Sequence, residues 1–417
     1  MYLNRSEGVF MFDDQGKRYL DFNAGAMCAN LGHTVPKQII DAVTHQLQTF
    51  PYSYPGVSVT DIRVKLAALL ADMVPGDINT FMFPSTGMEA NETALRIARM
   101  FTGRHKVLSR YRSYHGSSVA TLSLTGDFRR FNGERGASSG HVHFMDPFPY
   151  SFKWGENNAE ITERNLAYVR EVVQMEGPHT IAAIFVESVT GTNGILPPPP
   201  GYLEGLRQIC DQHGILLVCD EVMAGFGRTG RLFGWCHANV VPDITTAAKG
   251  ITAAFLPLGM VGVRDHIAAH FRANPVTIGS TYNSHPVVLA AAYAALQYML
   301  EHNIVQRVAK LEPYMRKRMD RLIDRHPSVK QARVLGLFGC FDVQKNTKGD
   351  FYLQVHEPLT GPMAQFKSAL YEHGLFTFVR GHNVFTNPPL IVSEKEIDLG
   401  FDIFEKCLPI LDKAMEK

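Results

Sequence analysis

The stretch Ile215-Leu216-Leu217-Val218-Cys219-Asp220-Glu221 decides the reading of this chain. Five apolar residues follow Gly214 and close on two carboxylates, the pattern of a strand buried on both faces with charge at its carboxyl end. Open parallel sheets built from such strands bind ligands beyond their carboxyl ends. A strand closing on Asp-Glu has two chemical readings. In a P-loop ATPase it holds a metal ion, and that requires a GxxxxGK[ST] loop. Gly16-Lys17 is followed by Arg18 and lacks the preceding glycine, so no such loop exists. In the second reading the aspartate is buried and pairs with the pyridinium nitrogen of a cofactor.

Working outward, short apolar runs at Thr80–Phe83, Lys106–Ser109, Ala182–Val186, Ile244–Ala247 and Leu258–Val263 read as further strands. Segments with helical spacing lie between several of them, Met88–Phe101 and Tyr202–Gln212 among them. Strands alternating with helices predict βαβ units and a mainly parallel sheet covered by helices. The ends differ: a hairpin-like turn at Asp14–Gly16, then, after Val287, long helices, strands at Val334–Val343 and Phe376–Phe385, and a terminal helix from Ser393 to Met415. We therefore expect an α/β fold with one large domain (46–287) and a small α+β domain assembled from both termini (1–45 and 288–417). Pro197–Pro200 mark a rigid extended connection, and there is no repeat or flexible linker.

The stretch Ile244–Val263 is wide enough to imitate a membrane span, but Gly250, Pro257, Gly259 and Gly262 break any continuous helix. Read as buried globular chain, it leaves its single charge, Lys249, to be explained. Burying an ammonium is costly, which favours the neutral, nucleophilic amine. With Asp220 upstream, an aldehyde cofactor held on Lys249 as a Schiff base accounts for both residues.

Other strand ends carry candidates. After Phe83 comes Pro84-Ser85-Thr86-Gly87-Met88-Glu89, where Thr86 and Glu89 have capping-box spacing and Gly87 lets amides approach an anion at a helix N-terminus. An ordinary helix cap has the same pattern. After Ser109 comes Arg110-Tyr111-Arg112-Ser113-Tyr114-His115-Gly116, with aromatics that either stack on a planar ring or simply pack. Glu187 closes the Ala182–Val186 strand. His141-Val142-His143 competes as a metal-holding pair on one strand face, but no acidic or histidine cluster completes four ligands, and we expect no metal.

Composition narrows the function classes. The 417 residues carry 41 Lys+Arg against 40 Asp+Glu, a net charge of +1 without the basic surplus of a nucleic-acid binder. With 45% hydrophobic residues the chain fills a core, and disorder is excluded. The six cysteines form no CxxC pair, and the N-terminus has no signal-like apolar segment, so a reducing, cytoplasmic setting without membrane attachment is expected.

Together these residues resemble the class-III pyridoxal-phosphate aminotransferases, the family of ornithine, 4-aminobutyrate and omega-amino-acid transaminases. The resemblance runs from Gly8 to Lys413. It is densest at Asp220-Glu221-Val222-Met223-Ala224-Gly225-Phe226-Gly227-Arg228-Thr229-Gly230, followed by Lys249-Gly250 and Pro257-Leu258-Gly259. It implies the aspartate-aminotransferase-like fold (fold type I), pyridoxal 5'-phosphate as cofactor, and a homodimer with composite sites. Lys249 would carry the cofactor and shuttle the proton, and Asp220 would keep the ring nitrogen protonated. Val222 and Tyr114 would pack on the two ring faces, with His115 beside them. Gly87 and Met88 would give amides to the phosphate, Thr281 would reach the partner subunit's phosphate, and Glu187 would sit near the ring. Arg380 would receive a substrate carboxylate, and Met27 occupies a pocket position that is tryptophan in many omega-transaminases.

Departures from the family are Met88 for a frequent serine, Ser188 for the proline after the glutamate, and Thr192. Ornithine and 4-aminobutyrate enzymes place an acidic residue at the Thr192 position. The Ser109–Gly116 stretch is closest to the taurine and β-alanine branch, with Arg110 or Arg112 as candidate holders of a sulfonate or carboxylate. The segment before Gly8 is shorter than in most relatives, where it contributes to the substrate pocket. We expect transamination between an omega-amino acid or amine and a 2-oxo acid. The alternatives are a decarboxylase, racemase or aminomutase on the same fold, or an impaired member.

Overall fold

Seven strands form the sheet that the Asp220 strand belongs to, and the computed structural model describes residues 2–131, 133, 138–148, 150 and 152–416. The strands in chain order are β1 (Leu3–Glu7), β2 (Phe10–Asp13), β3 (Arg18–Asp21), β4 (Ile78–Met82), β5 (Lys106–Arg110), β6 (His141–Phe144), β7 (Ile181–Glu187) and β8 (Leu216–Asp220). Then come β9 (Ile244–Ala247), β10 (Met260–Arg264), β11 (Val329–Leu335), β12 (Phe338–Val343), β13 (Leu375–Phe376), β14 (Val379–Arg380) and β15 (Asn383–Thr386).

The chain divides into two units. The larger comprises residues 37–225 and 232–298, and the smaller 1–36, 226–231 and 299–417. The N-terminal part of the smaller unit thus ends at Pro36, nine residues before the expected boundary, and the Phe226–Arg231 loop groups with the termini. Helix Pro286–Glu301, expected to begin the C-terminal part, belongs to the larger unit as far as Tyr298.

In the larger unit the sheet order is β4-β10-β9-β8-β7-β5-β6. β5 pairs in parallel with β6 and β7, and β7, β8 and β9 continue in parallel. β10 is antiparallel to both neighbours, β4 and β9, so β4 runs with the rest. Six carboxyl ends therefore share one edge of the sheet. β7 and β8 are buried at every residue, which is why they read as unbroken apolar runs. Helix Gly87–Thr102 covers one face, and its Ala90, Ala94 and Ala98, one turn apart, join Phe185, Val218 and Ile244 in the core. The stretch Ile244–Val263 is not a helix but β9, one 3-10 turn and most of β10. No helix among the described residues is long and apolar enough to cross a membrane.

The smaller unit has two four-stranded sheets, β1-β2-β3-β13 and β11-β12-β15-β14. The Val334–Val343 run, read as one strand, is the tight end of the β11–β12 hairpin, turning at Gly336 with φ +64°, where a Cβ would lie 2.4 Å from the Thr229 carbonyl carbon. The expected terminal helix is two, Glu394–Cys407 and Pro409–Lys413, because Pro409 cannot continue the first. Arg228 is fully buried here and donates to the carbonyls of Leu337 and Pro388 and to Asn30 Oδ1.

Candidate active site

Asp220 ends β8 with only 3% of its surface exposed. Its Oδ1 accepts from the Val222 amide at 2.9 Å, and its Oδ2 accepts from Asn91 Nδ2 at 2.8 Å and faces His115 Nδ1 at 2.8 Å. A carboxylate only accepts, so Nδ1 carries the proton. The His115 ring stands edge-on to Phe185 at 5.0 Å. Glu187 lies opposite Asp220 in the β7–β8 register, and its oxygens accept from the amides of Tyr114 and Gly191. Its carboxyl therefore ties together the two loops beyond β5 and β7. Burial pushes the Glu187 carboxyl above the usual carboxylate range.

Glu221 is fully buried and accepts from the Ser188 hydroxyl and the Gly234 and Trp235 amides. Burial raises its carboxyl to about 7, against the opposing pull of those three donors. The Ser188 hydroxyl thus has a structural use that a proline at this position could not supply.

The helix cap after β4 has the geometry of an anion cradle. Thr86 Oγ1 accepts from the Glu89 amide, while Glu89 Oε2 accepts from the Ser85 amide, one residue earlier than a reciprocal capping box would have it. The amides of Gly87 and Met88 have no acceptor among the described residues. A Cβ at Gly87 would meet both Val222 methyls at 2.9 Å and Ala248 Cβ at 3.3 Å. The helix N-terminus therefore touches the residue two beyond Asp220 and the residue just before Lys249.

Lys249 opens the 3-10 turn after β9 with φ +46°, outside the region most side chains favour. It is half-buried rather than buried, and its amine makes no hydrogen bond or ion pair among the described residues. Its burial cost is accordingly smaller than the sequence suggested. An unengaged amine, an aspartate with an open acceptor position and two unengaged amides at a helix N-terminus, joined through Val222 and Ala248, fit a pyridoxal phosphate. Lys249 would take the aldehyde, Asp220 the ring nitrogen, and Gly87 with Met88 the phosphate.

Tyr114 is half-buried, with the Arg129 guanidinium over its ring at 3.5 Å. Thr281 is exposed on its loop, and its carbonyl accepts from Tyr52 Oη. Met27, buried with φ +57°, and Arg380, half-buried on β14, lie in the smaller unit. Arg110 and Arg112 are not available for a substrate anion. Arg110 is buried and donates to the Glu187 carbonyl, and Arg112 pairs with Asp146 at 2.7 Å. His141 and His143 lie on β6, and no group of three or more metal-ligating side chains occurs among the described residues.

Sequence reading missed Asn91, Thr246 and Arg129. Asn91 had a signal: a polar residue inside the apolar stripe of an amphipathic helix, one position after Ala90. Arg129 had none, because its use depends on a loop fold that brings it to Tyr114.

The aminotransferase class-III family model matches residues 1–408. The chain is a class-III aminotransferase. It is 30% identical to a putrescine–pyruvate aminotransferase of Pseudomonas aeruginosa, across 97% of this chain and 90% of that one. It is also 30% identical to gamma aminobutyrate transaminase 1, mitochondrial, of Solanum lycopersicum, across 100% of this chain and 83% of that protein. Among solved structures it superposes on the taurine:2-oxoglutarate aminotransferase of Bifidobacterium kashiwanohense, in complex with PLP and glutamate, with a TM-score of 0.95 and 37% identity. That match covers 100% of this chain and 94% of the other. This aminotransferase is accordingly an enzyme of the fold type I class that works with pyridoxal phosphate.

Proposed function

We propose that this aminotransferase moves the amino group of an omega-amino acid with a remote anionic end, of the taurine or β-alanine kind, to a 2-oxo acid, with Lys249 as the residue that carries cofactor and proton. The observation that carries the catalytic part is the meeting of the Gly87 helix N-terminus with Val222 and Ala248, since it gathers Asp220, the free amides and Lys249 at one strand edge.

The bound cofactor supplies an aldehyde that takes up the amino group and a ring that accepts the electron pair when the substrate C–H proton leaves. The protein's part is positional and protonic. Asp220, a buried carboxylate fixed by donors on both oxygens, would meet the ring nitrogen. Lys249, without an ion-pair partner among the described residues, would take the proton from the substrate carbon and return it to the former aldehyde carbon on the other side of the shared nitrogen. The Gly87 and Met88 amides and the helix dipole would hold the phosphate dianion.

The substrate part rests on Arg129. Its guanidinium lies over Tyr114 and is anchored through Nε and Nη2 by Asp127 and by Thr192 Oγ1 at 2.6 Å; its Nη1, which makes no hydrogen bond among the described residues, would receive the incoming anion. Thr192 thus holds an arginine where relatives with an acidic residue at that position would pair one. A panel of donors and 2-oxo acids on the purified protein, read by product identity, tests the reaction. In Arg129→Gln, kcat/KM for donors ending in sulfonate or carboxylate should fall about tenfold to hundredfold, the value of a charge-assisted hydrogen bond. Uncharged amines should react as before. Equal losses for both donor types would remove Arg129 from substrate recognition.

A further inference from the structure

Asn91 is almost fully buried on helix Gly87–Thr102 and makes three hydrogen bonds to three different elements. Its Nδ2 donates to Asp220 Oδ2 at 2.8 Å and to the His115 carbonyl at 2.7 Å. Its Oδ1 accepts from Thr246 Oγ1 at 2.7 Å. Only one amide orientation is compatible with this site. Flipping the group would set Oδ1 against a carboxylate and a carbonyl, two acceptors that cannot donate to it. The Thr246 hydroxyl, fully buried on β9, completes that orientation.

A carboxylate oxygen has two acceptor directions. On Oδ2 of Asp220, Asn91 Nδ2 and His115 Nδ1 take both. On Oδ1 the Val222 amide takes one, and the other remains. We propose that Asn91, oriented by Thr246, is a positioning residue that fills Oδ2 of Asp220 and thereby makes Oδ1 the oxygen that meets the cofactor's ring nitrogen. The flanking carboxyls strengthen the need for it. Behind burial, Asp220 helps to raise the carboxyls of Glu187 and Glu221, so it sits among acids, and the donors on its Oδ2 help that cluster tolerate its charge. The proposal rests on the reading of Asp220 as the ring's partner.

The test uses the holoenzyme loaded with pyridoxal phosphate labelled with ¹⁵N at the ring nitrogen. The ¹⁵N shift is followed against pH by NMR, alongside cofactor dissociation and thermal unfolding. In Asn91→Leu the ring nitrogen should lose its proton about one to two pH units lower than in the parent, the equivalent of one charge-assisted hydrogen bond. Thr246→Val, a milder change that keeps the core filled, should shift it in the same direction by less, and Thr246→Ser should restore the parental titration. Equal behaviour of the Val and Ser variants, or a parental titration in Thr246→Val and Asn91→Leu while Asp220→Asn shifts, overturns the role of Asn91. A parental titration in Asp220→Asn itself overturns the reading of Asp220, and the inference with it.

Discussion

Glu221, one residue beyond Asp220, carries a proton that the unfolded chain would release at lower pH. Its carboxyl is raised from 4.5 to about 7 because burial penalises the charge more than the Ser188, Gly234 and Trp235 donors relieve it. Between those two values the folded state holds the proton and the unfolded state does not. Raising the pH across that window therefore lowers stability, by up to about 3 kcal/mol from this group alone. Glu221→Gln cannot ionise and escapes the loss. The stability difference between parent and Glu221→Gln, measured by denaturant unfolding at pH 5 and pH 8, should change in the variant's favour by about that amount as pH rises. A difference that stays constant with pH would mean Glu221 is ionised throughout. Among single residues, Asp220 and Lys249 were legible because each breaks an apolar run. Asn91, Thr246 and Arg129 were not, since their meaning lies in partners far along the chain: Asn91 and Thr246 are 155 positions apart, and Arg129 and Thr192 are 63.

Among the elements, β5, β7, β8 and β9 were readable because strands buried on both faces leave unbroken apolar runs. Their observed ends fall within one residue of those read from the sequence. The direction of β10 was not readable: periodicity registers which face is buried, not which way a strand runs, and β10 is antiparallel to both neighbours. Nor was β1 foreseen, since all five of its residues are exposed and it has no buried face to pattern. The hairpin at Gly336 was hidden inside an apolar run because its strands are buried almost up to the turn. The element that matters most for function, helix Gly87–Thr102, was readable as a helix, but its approach to Val222 and Ala248 is a packing fact.

For the whole molecule, exposed apolar side chains recur along residues 40–57 of the larger unit. Ile40, Leu47, Phe50, Tyr54 and Val57 are each about half exposed or more, and Tyr52 meets Tyr282 at 6.2 Å beside Thr281. Exposed apolar residues of this kind suit a protein interface, and we propose that a second copy of the chain covers them, with Thr281 facing the partner's cofactor. Analytical ultracentrifugation should give twice the chain mass of 46.5 kDa, and a monomer with full activity would contradict composite sites. The proposed chemistry depends above all on Lys249 carrying the cofactor. Borohydride reduction of the loaded protein, followed by proteolysis and mass spectrometry, tests it most directly. The phosphopyridoxyl group should appear on the peptide containing Lys249, with Lys249→Ala unlabelled, folded and inactive. A label on any other lysine in a protein that still turns over would contradict it.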